Sequence, residues 1–230
     1  SPDERPAILK KIREQSWARE IFTDFIDQLD QDIRVHQSDP GLFLSRLPFD
    51  WEKGAPNQIP PFYPTYHIEE GQHKNLDNAT EAEMANARTL TRYLQMGIDC
   101  GMAYYLTEDE KYGQCAVDIL YSFITAVLQS EVSDWQGRGG WLFPDDGFRE
   151  VREIGYKVPL IYDFVADYIK KGGRPFDLVK KVKIDFPTKE AQQVFRTYAD
   201  LTIQYGQTGS NHPILEAPNL VYNVLAMEEE

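Results

Sequence analysis

The sequence predicts an all-α chain of helical hairpins, on three observations. Apolar residues return every three or four positions through six segments, polar turns with helix-start chemistry join neighbouring segments, and no stretch alternates apolar and polar residues between hairpin turns. The 230 residues, 42% apolar and 13% aromatic, suffice for a substantial core.

Residues 6–36 open at Pro6 and bring Ile8, Ile12, Ile21, Phe22, Phe25, Ile26, Leu29 and Ile33 back to one face, which predicts a single amphipathic helix. From Gln37 to Asn78 prolines and glycines recur without a period, which predicts a long ordered loop. Thr80-Glu81-Ala82-Glu83 has the form of a capping box and leads into a helix over Met84–Tyr105, with Leu90, Tyr93, Leu94, Ile98 and Met102 near one side. Thr107-Glu108-Asp109-Glu110 repeats the form before Tyr112, Cys115, Ile119, Leu120, Phe123 and Val127. So short a turn makes the two helices antiparallel neighbours.

Ser133 to Phe148 is glycine-rich and reads as a loop. Arg149 to Lys170 reads as a helix that Pro159 either kinks or truly begins, and Gly172-Gly173 ends it. After a linker through Pro187, Thr188 is expected to cap a helix that Gly206 stops. The last helix should begin near Asn211 and still be running at Glu230. Helical hairpins close into rings or solenoids, and six helices are few for a ring, so the chain reads as the N-terminal part of something larger. A start at Ser1-Pro2-Asp3 fits either a mature secreted form or removal of a targeting segment.

Charge and motif content narrow the chemistry. A formal net charge of -13 argues against nucleic acid as a partner, since phosphate neutralisation needs a basic face. No apolar run approaches the roughly 20 residues that cross a bilayer. The histidines, His36, His67, His73 and His212, form no HExxH and no ligand spacing, so no metal is expected, and GxSxG and GxGxxG are absent. Cys100 and Cys115 fit no zinc or CxxC pattern; they read as two buried thiols or as a disulfide between adjacent helices. Asn78-Ala79-Thr80 matches a glycosylation triplet, although Thr80 already serves as a cap.

Two clusters carry candidate chemistry. The first is Asn211-His212, after a Gln-Thr-Gly-Ser turn. Ser210 or Asn211 as an N-cap and Pro213 in the first turn explain this stretch structurally, but they leave the histidine unexplained. A helix N-terminus suits an imidazole that stays neutral. The second cluster is Trp135, Arg138, Trp141, Arg149, Arg152 and Tyr156. Aromatic rings stack on sugar faces and guanidinium groups grip carboxylates, which suggests a groove for an acidic saccharide. The same residues also read as interhelical filler, with Glu150, Glu153 and the arginines in exposed ion pairs. Trp51, Phe62, Tyr63, Tyr66 and His67 could line that groove or simply pack a proline-rich loop.

Three stretches, "AYYLTEDEKYGQCAVDIL", "REVREIGYKVPLIYDFV" and "SNHPILEAPNLVYN", resemble the α/α-toroid domain of the heparinase II/III-like and alginate-lyase-like polysaccharide lyases. The resemblance spans most of the chain and implies one incomplete toroid domain over residues 1–230, with further helices and a β-sandwich lying elsewhere. It implies a cofactor-free β-elimination on a uronate-containing anionic glycan, in the periplasm or secreted. Carried over by position, Asn211 binds the uronate carboxylate and His212 joins it. The family's tyrosine on a later helix has no counterpart, since Tyr222 lies too near in sequence, so little turnover is expected from these residues alone. The chemical need is plain: the C5 proton is barely acidic until the carboxylate charge is quenched. Two other classes stay open, an α/α-barrel glycoside hydrolase using acids among Asp145, Asp146, Glu150 and Asp163, and a non-catalytic glycan-binding module.

Overall fold

The computed structural model of the chain describes residues 4–49, 81–129, 131–132, 140–143, 147–206, 208–209 and 211–228, and of residues 82–84 the backbone. Its helices are α1 (Glu4–Glu14), α2 (Ser16–Asp32), α3 (Arg34–Ser38), α4 (Pro40–Leu44), α5 (Glu81–Thr107), α6 (Glu110–Val127), α7 (Gly147–Glu150), α8 (Lys157–Lys170), α9 (Thr188–Tyr205) and α10 (His212–Ala226). A π-turn, Val151–Gly155, joins α7 to α8. Phe176–Asp177 and Val182–Lys183 form a two-residue antiparallel ribbon in the α8–α9 linker.

The helices pair as the apolar spacing requires. α5 packs on α6, α9 on α10, and α8 lies against α5, α6 and α10, which is the paired-helix arrangement of part of an α/α toroid. The core is centred on α6, whose Ile119, Leu120, Phe123 and Ile124 are sealed from solvent with Leu90 and Leu94 of α5 and Ile161 and Val165 of α8. Gly97 permits the close approach of α5 to α8, because a Cβ there would stand 2.7 Å from Ile161 Cδ1. His36 fastens the N-terminal region to this core. Its Nε2 lies 2.8 Å from Asp118 Oδ2 on α6, while Asp118 Oδ1 accepts from Gln114 and from the backbone N–H of Phe176.

Several expectations need correction. Residues 6–36 do not form one helix: Gln15 is extended between α1 and α2, and no proline or glycine marks the break. Part of the expected loop is helical, since Asp39 accepts from Leu42 N–H and Pro40 opens α4. Thr107 is the last residue of α5 and bonds back to Ala103 O; Asp109 is the cap of α6, accepting from Lys111 N–H at 3.1 Å. Thr188 is the first residue of α9 and makes no cap hydrogen bond. α10 ends at Ala226, where Met227 turns extended, and does not run on to Glu230. Of the two readings for Cys100 and Cys115, the buried thiols hold and the disulfide does not, since both are free and buried. Burial and a hydrogen bond from Cys100 hold the Cys115 thiol well above its ordinary pKa.

Other readings hold. Gly172, at φ +93°, ends α8 where the sequence places the stop, and Gly173 N–H bonds back to Tyr168 O. Pro159 does mark a start, lying in the first turn of α8. Asn78, Thr80, His67, His73, Trp51, Phe62, Tyr63 and Tyr66 lie outside the described residues.

Candidate functional site

The candidate site forms where the N-terminus of α10 meets the α7–π-turn segment. His212 is the first residue of α10 and Pro213 follows in the first turn, where its missing N–H has no helical partner to lose. Asn211 occupies the N-cap position, but its side chain makes no cap hydrogen bond. The expected capping role of the Asn211 amide is therefore not observed.

His212, Arg152, Phe148 and Glu216 converge. Arg152 Nη2 hydrogen-bonds His212 Nδ1 and also donates to Glu216 Oε1 at 2.8 Å. The His212 ring stacks on Phe148, with centroids 6.2 Å apart and planes 18° apart, and the Arg152 guanidinium lies 5.5 Å from the Phe148 centroid. A guanidinium only donates, so Nδ1 is the acceptor, the imidazole is neutral and its hydrogen sits on Nε2. Glu216 is buried one turn beyond His212 on the same helix, and its charge balances the arginine that fixes this tautomer. Arg152 Nε is buried without a hydrogen-bond partner among the described residues.

The π-turn sets Arg152 against α10. Such turns insert an extra residue into a helix and recur at functional sites. Gly155 ends this one, and a side chain there would collide with Asn219 and Tyr198. Pro159 has no N–H to offer the carbonyl of Gly155 four residues back, and Asn223 Nδ2 of α10 donates to that carbonyl at 3.2 Å. Asn219 Nδ2 donates to Tyr198 O and Thr202 Oγ1, both at 2.7 Å, and Asn219 Oδ1 accepts from Asn223. Side-chain amides thus tie α9, α10 and the π-turn together.

Glu150 anchors the approach to the site. It is 0% exposed, accepts from the backbone N–H groups of Leu142 (2.8 Å) and Phe143 (3.1 Å), and accepts from Tyr198 Oη at 2.8 Å. Burial pushes its pKa up to about 7 against the downward pull of those donors. Burial, then the charge of Glu150, holds Tyr198 well above the ordinary tyrosine value.

The residues expected to line one groove divide. Arg152 and His212 meet. Arg149 faces the other way and pairs with Glu153 at 2.7 Å, in a half-exposed ion pair. Trp141 is 7% exposed and set edge-on to Tyr198, so it fills space between helices and offers no face to a sugar. Tyr156 accepts a hydrogen bond from Lys157, whose ammonium lies 4.1 Å from its ring centroid. Glu150 is buried and forms no exposed ion pair. Trp135, Arg138, Asp145 and Asp146 lie outside the described residues. Asp163 lines a separate groove of about 310 Å³ between α8 and the far end of α10. Sequence reasoning missed Phe148, Glu216, Asn219 and Asn223. Their signal was polar residues at i, i+4 spacing, His212 with Glu216 and Asn219 with Asn223, inside an otherwise apolar helix.

No family model matches the chain, and no solved structure does. The endo-acting ulvan lyase of Formosa agariphila is 26% identical to it over 241 aligned residues, covering 99% of this chain. The chain spans about a quarter of that relative's length (25%). The paired-helix fold of part of an α/α toroid agrees with this distant likeness to a lyase.

Proposed function

We propose that the chain contributes to a polysaccharide lyase that cleaves a uronate-containing anionic glycan by β-elimination, with Asn211 and His212 in its active site. The observation that carries this reading is the Arg152–His212–Glu216 contact, which holds a neutral imidazole beside Asn211 at a helix N-terminus. Such a terminus favours an anionic group. The Asn211 amide and the His212 Nε2–H donate to the substrate carboxylate, and the Arg152 charge behind the imidazole strengthens that donation. With the carboxylate neutralised, a base takes the C5 proton, the C–H electrons form the C4–C5 double bond, and the C4–O bond breaks as its oxygen receives a proton. With Nε2 protonated, His212 donates, so proton abstraction falls to another group, a tyrosinate by analogy with the family.

The likeness to an endo-acting ulvan lyase puts ulvan first among the substrates to test. A polymeric substrate also fits a periplasmic or secreted location. Ultraviolet absorbance of the unsaturated uronate product, followed with the full-length protein and ulvan, alginate, glucuronan and glycosaminoglycans, tests the reading. Asn211→Ala and His212→Ala should each lower the rate by roughly 100-fold or more; wild-type rates in both would refute the assignment. The hydrolase reading loses support because Glu150 has both oxygens engaged in its buried cradle.

A further inference from the structure

A second groove, of about 460 Å³, lies between α5 and the α7–π-turn–α8 segment. It is lined by Arg88 and Arg92 of α5 and by Arg149, Glu153 and Lys157 across from them, four cations against one carboxylate, in a chain of net charge -13. Glu153 is already engaged by Arg149. Neither Arg88 nor Arg92 has an ion-pair partner among the described residues, although both are exposed and stand one turn apart. Like charges at that spacing oppose each other and weaken a helix.

Lys157 makes the groove more than a solvated basic face. It is only 6% exposed, and its hydrogen-bond partner among the described residues is the uncharged Tyr156 phenol. A buried ammonium normally needs a counter-charge to offset its lost hydration. Here the surroundings add three guanidinium groups and one carboxylate that is already shared. Thr91 and Gln95, from the same face of α5, add neutral hydrogen-bonding groups of the kind that meet sugar hydroxyls.

We propose that this groove is a binding subsite for an anionic oxygen group of an acidic saccharide, a sulfate ester or a carboxylate on a sugar other than the one undergoing elimination. The inference rests on the lyase reading for the identity of its ligand and on the groove alone for its charge. Arg88 and Arg92 grip the anion from α5, and Lys157 supplies the counter-charge from the opposite wall.

Calorimetric titration of the full chain with sulfated uronate oligosaccharides, their desulfated counterparts and inorganic sulfate tests it. Arg88→Gln combined with Arg92→Gln, both exposed and outside the core, should leave thermal unfolding unchanged and weaken oligosaccharide binding roughly tenfold or more. Binding should also weaken as salt rises. A preference for sulfated over desulfated ligand identifies a sulfate ester as the anion, and equal affinity identifies the carboxylate. His212→Ala, by contrast, should keep most of the binding through this groove. Unchanged affinity in the double variant, or a wild type that binds inorganic sulfate alone or no ligand at all, would overturn the proposal. Saccharide binding that depends on Arg88 and Arg92, with no unsaturated product formed from any polymer by the full-length protein, would overturn the lyase reading and leave the groove standing.

Discussion

α6 and α10 are built in opposite senses. α6 is buried on nearly every side, with Ile119, Leu120, Phe123 and Ile124 among its sealed residues, as a central and largely apolar helix should be. The buried residues of α10 are Glu216, Asn219 and Asn223, while Ile214 (77% exposed) and Leu225 (76% exposed) face outward. One side of the molecule is therefore held by apolar area removed from water, which is insensitive to direction and to pH. The other is held by hydrogen bonds whose loss strands a buried polar group. The candidate site belongs to the second side, where directional bonds can hold a tautomer and aim a guanidinium.

Four experiments sharpen or break that contrast. Ile119→Ala should destabilise the fold by about 2–5 kcal/mol in denaturant titration, the range for emptying a sealed aliphatic site. Glu150 gives the next effect, in pH. Because its carboxyl titrates near 7 in the folded chain against 4.5 ordinarily, the native state holds a proton that the unfolded chain has released between those values. Stability should thus fall as pH rises from about 4.5 to about 7, by on the order of 3 kcal/mol, and Glu150→Gln should flatten that slope. An unchanged slope in the variant would assign the dependence to other groups. Asn219→Ala should cost about 1–3 kcal/mol, because Tyr198 O, Thr202 Oγ1 and Asn223 all lose a partner. Ile214→Ser and Leu225→Ser should each change unfolding by no more than about 0.5 kcal/mol. A loss of 2 kcal/mol at either would mean that this face is covered in solution and would end the contrast.

The same contrast explains what could be read from the sequence. Spacing of Leu90, Leu94, Ile119 and Phe123 foretold α5 and α6 because hydrophobic burial leaves a period. Stops at Gly172 and Gly206 were legible because Gly172 takes a left-handed φ of +93° and a side chain at Gly206 would stand 2.3 Å from Thr202 O. The break at Gln15 was not, since nothing in its neighbours disfavours helix. Asn211 and His212 stood out through resemblance, and Arg152 through its guanidinium. Their partnership was hidden, because whether Arg149 or Arg152 meets α10 depends on the extra residue of a π-turn, which has no composition signature. Glu150 was misread as an exposed ion-pair member because its partners are backbone N–H groups, which any sequence supplies.

The bond from Asn223 to the carbonyl that Pro159 leaves open works as a dowel between two helices. His212 stands eleven residues before Asn223, about 16 Å along the axis of α10. Sliding α10 by one turn would move His212 about 5.4 Å from Arg152 and at the same moment pull the dowel from its hole. The position of the imidazole is therefore gauged from the opposite end of its own helix, and a change at Asn223 should be felt at His212 without touching it.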